Sequence, residues 1–186
     1  IAEICTDSSR AVPYIKPLPQ NFATFTNLIK DFTAHVGQTI KSPKKLFAVV
    51  LHPQIEVKTS DARAVISPTV TLKNAIIQWG NLGGFIAGLY TKDYALIGRS
   101  LKDVIVEPYR KSLIPGFEEV QTIAIQSGAL GAGISGAGPS IFALCKGKKS
   151  ANSVAQKMTE NYIQNNIPFE LHCSKINTNG VETIEK

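Results

Sequence analysis

The sequence predicts an α+β fold, in which an antiparallel sheet is covered by helices on one face. Short apolar or glycine-rich runs near residues 46, 130, 141 and 169 alternate with longer amphipathic stretches. No period of about 20–50 residues recurs, which argues against a repeat array. The 186 residues suit one domain, or one domain with an appendage, that buries a core without disulfides.

Three predicted strands are defined by their apolar residues. Residues 46–51 read LFAVVL, an almost wholly apolar run that predicts a buried strand, and His52 and Pro53 end it. Residues 141–146 (IFALCK) predict a second strand. Residues 169–176 (FELHCSKI) predict a third, in which the apolar positions partly alternate.

Four longer helices are predicted from apolar spacing and from end signals. They span residues 71–90, 93–106, 115–127 and 150–165. Pro108 interrupts the second helix, Pro115 suits the first turn of the third, and Ser150 caps the fourth. We expect the first, third and fourth helices to cover the same face of the sheet.

Glycines interrupt the first of these helices. Gly83, Gly84 and Gly88 each weaken it by about 1 kcal/mol relative to alanine. We interpret them as positions of close helix packing rather than as parts of a site.

The N-terminal part of the chain predicts little regular structure. Three prolines break any helix or central strand within residues 1–24. Residues 25–32 could form an edge strand or a single helical turn. The chain begins at Ile1 with neither a methionine nor a signal peptide, so we expect that sequence upstream has been lost.

Composition excludes several classes of protein. With 44% hydrophobic and 18% charged residues, the chain is neither disordered, collagen-like nor a disulfide scaffold. No apolar run reaches the roughly 18 residues of a membrane span, so we expect no membrane association. The net charge of +6 is spread along the chain, and its densest cluster lacks aromatic residues, at Lys146, Lys148 and Lys149. We therefore predict a solvated turn there, no nucleic-acid partner, and an anionic small-molecule substrate.

The cysteines predict neither a disulfide framework nor a metal site. Cys5, Cys145 and Cys173 are far apart, and neither they nor the three histidines have metal-ligand spacing. His172 and Cys173 are neighbours on a strand, so their side chains point to opposite faces. We expect free thiols in a reducing compartment and a cytoplasmic protein.

A glycine-rich motif occupies residues 131–140, GAGISGAGPS. Gly131, Gly133 and Gly136 match the dinucleotide-binding fingerprint, which requires a helix directly after the glycines. Pro139 and a predicted strand follow instead, so that interpretation fails. Two alternatives stay open: a hairpin that brings backbone close to a ligand, with Ser135 as a hydroxyl donor, or a bulged turn without a ligand.

Thr59 and Arg63 share a face at a predicted helix start, where they could hold a carboxylate. From these residues alone, a surface salt bridge of Arg63 with Asp61 or Glu56 is the favoured alternative.

Asp103 and Glu107 lie four residues apart on the predicted helix 93–106 and its continuation. Paired carboxylates can act as acid and base. They can equally pair with Lys102, Arg110 or Lys111, and the residues alone do not decide between these roles.

Three segments in this order resemble bacterial homoserine kinases, members of the GHMP kinase superfamily: LHPQIEVKTSDARAV, SLKDVIVEPYRKSLIPGF and GAGISGAGPSIFALC. The resemblance runs from about Pro43 to the C-terminus. It implies a C-terminal, substrate-side domain over residues 43–186 with a ferredoxin-like antiparallel sheet. Residues 1–42 form an irregular segment that does not match the family.

The resemblance also implies an activity, the ATP-dependent phosphorylation of the L-homoserine hydroxyl in threonine biosynthesis. By position, Arg63 and Arg110 match arginines that hold the substrate carboxylate, and Thr59 matches a residue that contacts the substrate. The glycine loop beside the substrate corresponds to Gly133, Ser135 and Gly136. ATP and Mg²⁺ are expected for the full-length family enzyme, and a homodimer is possible; the resemblance assigns no catalytic residue here.

The chain departs from the family in lacking its phosphate loop, Pro-x-x-x-Gly-Leu-Gly-Ser-Ser-Ala. We therefore expect that this chain alone binds no cofactor or metal and is inactive. A fragment, a frameshifted or fused gene product, or an unusual recombinant chain would each explain the departure. The alternative function is a non-catalytic amino-acid-binding or structural remnant of a GHMP kinase.

Overall fold

The computed structural model of the chain describes residues 42–176, and within them it contains a four-stranded sheet. The strands are β1 (Leu46–Pro53), β2 (Ala129–Ile134), β3 (Ile141–Lys146) and β4 (Phe169–Lys175). They lie in the order β2-β3-β1-β4, and each neighbouring pair is antiparallel. The predicted antiparallel sheet is therefore confirmed. The possible element at residues 25–32 lies outside the described residues.

Six α-helices connect the strands. They are α1 (Thr59–Ala64), α2 (Leu72–Thr91), α3 (Tyr94–Arg99), α4 (Glu107–Arg110), α5 (Phe117–Gln126) and α6 (Lys148–Gln164), with a 3₁₀ turn at Lys111–Leu113 after α4. The path β1-α5-β2-β3-α6-β4 with this strand order is the ferredoxin-like α+β topology, as predicted. Helices α1 to α4 are inserted between β1 and α5.

One face of the sheet packs against α5 and α6. Val49 and Leu51 of β1 meet Val120 of α5 and Met158 and Tyr162 of α6 in a core of fully buried side chains. The Tyr162 hydroxyl donates a hydrogen bond to the Pro115 carbonyl at 2.9 Å, so this large side chain buries its polar atom with a partner. The placement of these two helices agrees with the sequence prediction.

Helix α2 lies over the opposite face, which differs from the expectation that all three long helices share one side. Leu46 and Ala48 of β1 and Phe142 of β3 pack against Phe85 and Leu89 of α2. Successive residues of a strand point to opposite faces, so the continuous apolar run of β1 presents apolar surface on both. Both faces therefore need a covering layer, and α2 supplies the second one.

Three helices end or begin elsewhere than predicted, and one of them is α5, which begins at Phe117 and leaves Pro115 outside its first turn. The predicted helix 93–106 stops at Arg99, and the chain then makes a separate turn in which the Asp103 carboxylate accepts hydrogen bonds from the Ile105 and Val106 amides. Helix α6 begins at Lys148, and Ser150 does not cap it; its hydroxyl donates to the Gly128 carbonyl at 2.7 Å. Strand β1 continues through Pro53 rather than ending before His52.

The helical glycines divide into two kinds. A Cβ on Gly88 would lie 2.9 Å from both the backbone nitrogen and a side-chain carbon of Ile97, and one on Gly84 would lie 2.5 Å from the Ser100 hydroxyl. These two glycines permit the close packing of α2 on α3, as predicted. A Cβ on Gly83 would meet no heavy atom within 4 Å, so the packing interpretation is wrong for this residue.

The described cysteines are free thiols. Burial raises the pKa of Cys145, on β3, to about 12, so its thiol stays protonated and unreactive at neutral pH. Cys173 lies near Asn152 of α6, whereas His172 lies beside Glu170, so the two neighbours face opposite sides of the sheet as predicted. No helix among residues 42–176 is long and apolar enough to cross a bilayer.

Candidate functional site

A cavity of about 400 Å³ lies between α2, the segment that links α3 to α4, and the paired strands β2 and β3. Apolar and polar side chains both line its wall. The lining residues include three aromatic rings, four charged side chains and two glycines of the motif, namely Trp79, Phe85, Phe142, Lys102, Asp103, Glu107, Arg110, Gly133 and Gly136. Gly133 and Gly136, which the resemblance assigned to the glycine loop, thus line the same cavity as Arg110, which it assigned to the substrate carboxylate.

Arg110 connects three elements at the edge of this cavity. Its Nε donates to the Ala62 carbonyl of α1 at 3.0 Å, and one of its terminal nitrogens donates to the Gly136 carbonyl at 3.0 Å. A guanidinium carries five N–H groups, so several stay free for a ligand while the plane of the group is fixed. Arg110 is therefore both a structural tie and a positioned anion-binding group.

Glu107 is the acid of the cavity wall whose pKa is shifted by its surroundings. Its carboxylate accepts a hydrogen bond from Gln121 Nε2 at 2.9 Å and a longer one from the Ile134 amide at 3.4 Å. Burial raises the pKa of Glu107, and these hydrogen bonds offset part of that rise. Gln121 also donates to the Ala132 carbonyl at 2.9 Å, so Glu107 and Gln121 together brace strand β2.

Asp103 does not share a helix face with Glu107. It precedes α4 and accepts hydrogen bonds from the Ile105 and Val106 amides, whereas Glu107 is the first residue of α4. Lys111, one of the cations that could have paired with them, forms an ion pair with Glu118 instead. The two carboxylates therefore make separate hydrogen bonds, and within residues 42–176 neither forms an ion pair with Lys102, Arg110 or Lys111.

The glycine strand needs its glycines for close approach. A Cβ on Gly131 would lie 2.8 Å from a side-chain carbon of Leu101, and one on Gly133 would lie 2.8 Å from a Glu107 oxygen. Gly136 has φ +60° and Gly138 has φ +82°, both in the left-handed region that glycine tolerates best. Strand β3 begins three residues later, at Ile141, so no helix follows the motif and it is not a dinucleotide fingerprint.

The remaining predicted residues lie around the cavity. Thr59 and Arg63 are exposed on α1, next to the Ala62 carbonyl that Arg110 binds. Within residues 42–176, Arg63 forms no ion pair with Asp61 or Glu56. The Ser135 amide donates to the Ser140 carbonyl at 2.8 Å and closes the glycine turn. The structure thus brings α1, Arg110 and the turn together, although Thr59, Arg63 and Ser135 do not line the cavity itself.

Two glutamines, Gln121 and Gln78, contribute to the site without having been predicted from the sequence. Gln121 lies four residues after Phe117 and three before Ala124, both buried, so it interrupts the apolar stripe of α5. That interruption was a usable signal for a polar contact. Gln78 accepts a hydrogen bond from the Val104 amide at 3.0 Å, which ties α2 to the segment before α4. Nothing in the local pattern around Gln78 points to that contact.

Comparison with known families identifies the class of this fold. Residues 85–164 match the family of GHMP kinases, C terminal. This range contains α3 to α6 and β2 and β3, hence the Arg110 segment and the whole glycine motif. The described residues therefore have the fold of a GHMP kinase C-terminal domain.

Within that class, the chain is similar to homoserine kinases. It is 47% identical over 136 residues to that of Chlorobium phaeovibrioides, covering 73% of this chain and 42% of the relative. It is 46% identical over 159 residues to that of Chlorobium phaeobacteroides, covering 84% and 50%. The crystal structure of homoserine kinase from Cytophaga hutchinsonii superposes with a TM-score of 0.74 and 44% identity, covering 76% of this chain and 45% of that one. The chain thus spans about half the length of these relatives.

Proposed function

We propose that this chain is the substrate-side part of an ATP-dependent homoserine kinase that acts in threonine biosynthesis in the cytoplasm. The observation that carries the proposal is the position of Arg110, which a GHMP kinase C-terminal domain holds between α1 and the glycine turn at the cavity edge. The relatives at 46–47% identity are homoserine kinases, which supports this particular substrate.

The polar groups at the cavity suit the carboxylate of an amino acid. Arg110 offers free N–H groups in a fixed plane, and the neighbouring Arg63 on α1 has no ion-pair partner among the described residues. Two guanidinium groups at one place bind a carboxylate in forked geometry, which a lysine ammonium cannot reproduce. We infer that Arg110 orients the carboxylate, with Arg63 and Thr59 closing the site from α1.

We propose that the nucleotide binds outside the described residues. The glycine turn leads into β3 rather than into a helix, so no helix N-terminus faces an anion there. No group of three or more His, Cys, Asp or Glu side chains in residues 42–176 is arranged to hold a metal ion. We therefore assign MgATP binding to the part of the kinase that this chain does not cover.

The exposed side of α2 is suited to contact that remaining part. Leu72, Ile76, Trp79 and Leu82 form one stripe along the helix, and each is more than half exposed. Trp79 and Leu82 also line the cavity, so a domain that covers this stripe would close the substrate site as well. We propose that the nucleotide-binding part of the kinase packs here.

Titration of the ¹⁵N-labelled chain with L-homoserine tests the proposal. We expect shifts of the Gly133 and Gly136 amides, and an affinity lowered about tenfold or more by Arg110→Lys, since a charged hydrogen bond contributes roughly 1.5–3 kcal/mol. Arg99→Lys is the matched control, because Arg99 is exposed at the end of α3 and outside the cavity. The same titration with 3-aminopropan-1-ol, which lacks the carboxylate, should give no binding.

The outcomes separate the alternatives. Binding of L-homoserine that is insensitive to Arg110→Lys would overturn the assigned role of Arg110. Binding without any kinase activity, even after the remaining part of a homoserine kinase is supplied, would favour an amino-acid-binding remnant. If L-homoserine binds neither to the chain alone nor to the chain combined with the remaining part of a homoserine kinase, the chain has a structural role.

A further inference from the structure

His52 and Ser140 face each other across the central strands. The register pairs Leu51 of β1 with Ile141 of β3, so the next step of the antiparallel ladder places His52 opposite Ser140. The side chains of Ile141 and Leu51 belong to the core under α5 and α6, so His52 and Ser140 project to the other face. That is the face on which Phe142 lines the cavity.

The two side chains are hydrogen-bonded. His52 Nδ1 and Ser140 Oγ are 2.8 Å apart in a partly buried position, and 88 residues separate them in sequence. The strand ladder does not require this contact, because backbone pairing of β1 with β3 already ends at Ile141. On the other side of His52, strand β4 places Glu170 directly opposite it. His172, on the same face of β4, lies 3.8 Å from the Glu170 carboxylate.

Ser140 is also the closing residue of the glycine turn. Its carbonyl accepts the Ser135 amide at 2.8 Å, and the Gly138 amide donates to the Ser135 carbonyl at 3.0 Å. On the opposite side of the turn, Arg110 donates to the Gly136 carbonyl. The turn is thus held at two points, by Arg110 on the cavity side and by His52 through Ser140 at its base.

We propose that His52 is a positioning residue for the substrate site, acting through the Ser140 hydroxyl on the glycine turn. The inference rests on the proposed binding of L-homoserine beside Gly133 and Gly136. Residues 136–138 contain two glycines with positive φ, whose backbone is intrinsically flexible. The His52–Ser140 hydrogen bond fixes the base of this turn, so that the Gly136 carbonyl stays where Arg110 and the ligand meet it.

A double-mutant cycle on the full chain tests the proposal, with His52→Leu, Ser140→Ala and the double variant. Each single change should weaken L-homoserine binding about three- to tenfold, which corresponds to one lost hydrogen bond. The double variant should be no weaker than either single one, because both changes remove the same contact. His52→Asn should restore most of the affinity, since its side-chain amide can occupy the position of Nδ1.

Two matched variants control for the loss of a histidine or a serine hydrogen bond elsewhere. His172→Leu removes the neighbouring histidine of the same face, and Ser150→Ala removes the hydroxyl that donates to the Gly128 carbonyl at the far end of β2. Both should leave the affinity within about twofold of wild type, and Ser150→Ala should lower only the melting temperature.

The same samples without ligand separate this inference from the proposed function. In ¹⁵N spectra, His52→Leu and Ser140→Ala should shift and broaden the amides of Gly136 and Gly138, and His52→Asn should return them toward their wild-type positions. If the variants shift the Gly136 and Gly138 amides but the wild-type chain does not bind L-homoserine, the proposed function is contradicted and the positioning of the turn by His52 stands. Additive effects in the cycle, or unchanged glycine amides, would overturn the positioning role of His52.

Discussion

Individual contacts at the cavity show why single residues of the glycine motif are fixed. Gly133 lies so close to the Glu107 carboxylate that a methyl group there would approach an oxygen to 2.8 Å. Glu107 in turn accepts from Gln121, which holds the Ala132 carbonyl. Glu107 and Gln121, which are 14 residues apart along the chain, thus form one hydrogen-bonded unit with the backbone on either side of Gly133.

Glu107→Gln should change how stability depends on pH. The pKa of Glu107 is raised above its ordinary value of 4.5, mainly by burial, so above pH 4.5 the folded chain binds more protons at this site than the unfolded chain. Its contribution to the free energy of unfolding therefore falls as the pH rises from 4.5 through the raised value. The difference between wild type and Glu107→Gln, from urea unfolding at several pH values, should decrease over this interval. A difference that grows with pH would show that the carboxylate is stabilised in its ionised form.

The packing of α2 on α3 depends on small residues at defined helix positions. Gly88 is buried against Ile97, and the C-terminal end of α2 continues into a left-handed Lys92 with φ 58°. The short link between the two helices then brings α3 against β2, where Leu101 contacts Gly131. Close approach at Gly88 therefore contributes to the position of the cavity wall.

Gly88→Ala and Gly83→Ala should have opposite effects on stability. The added methyl of Gly88→Ala meets backbone and side-chain atoms of Ile97 at 2.9 Å, so we expect a loss of about 1–3 kcal/mol. Gly83→Ala meets nothing within 4 Å on the same helix, so we expect a gain of about 1 kcal/mol from helix propensity. Urea unfolding followed by circular dichroism measures both. Equal effects of the two variants would show that α2 does not pack on α3 as described.

At the scale of the whole molecule, the described residues combine a sheet that is covered on both faces with an apolar surface that has no cover within residues 42–176. The sheet is protected on one face by α5 and α6 and on the other by α2, so its core does not depend on a further domain. The outer stripe of α2, however, leaves Trp79 64% exposed beside the cavity. We therefore expect the sheet and its two helical layers to fold without a further domain.

The chain alone should not phosphorylate L-homoserine. Phosphoryl transfer requires a cradle for the triphosphate and bridging metal ions, and positioning alone accounts for about 7–11 kcal/mol of such a barrier. A coupled assay of ADP release, with saturating MgATP and L-homoserine, measures the activity. The full-length Cytophaga hutchinsonii homoserine kinase is the positive control. The part of that kinase that the present chain does not match, added as a separate polypeptide, should restore turnover. Turnover of about one per second by the chain alone would mean that the nucleotide site has been misplaced.

The sequence by itself determined the local elements. Apolar runs located three of the strands and a glycine-rich run located β2, the spacing of apolar residues located α2, and Pro139 before a strand excluded a dinucleotide site. These features depend on neighbours within a few residues, and local periodicity records them. The family resemblance of three short segments identified Arg110 and the glycine turn as candidate site residues.

Only the tertiary structure decided which face of the sheet α2 covers, where the predicted helix 93–106 ends, and what Glu107 and His52 contact. The contacts of Glu107 with Gln121 and of His52 with Ser140 join residues 14 and 88 positions apart. A continuous apolar run indicates that a strand is buried on both faces, but it does not predict which helix packs on each face. That choice follows from how chain connectivity and side-chain volume allow the layers to close, so it is fixed only when all of them pack together.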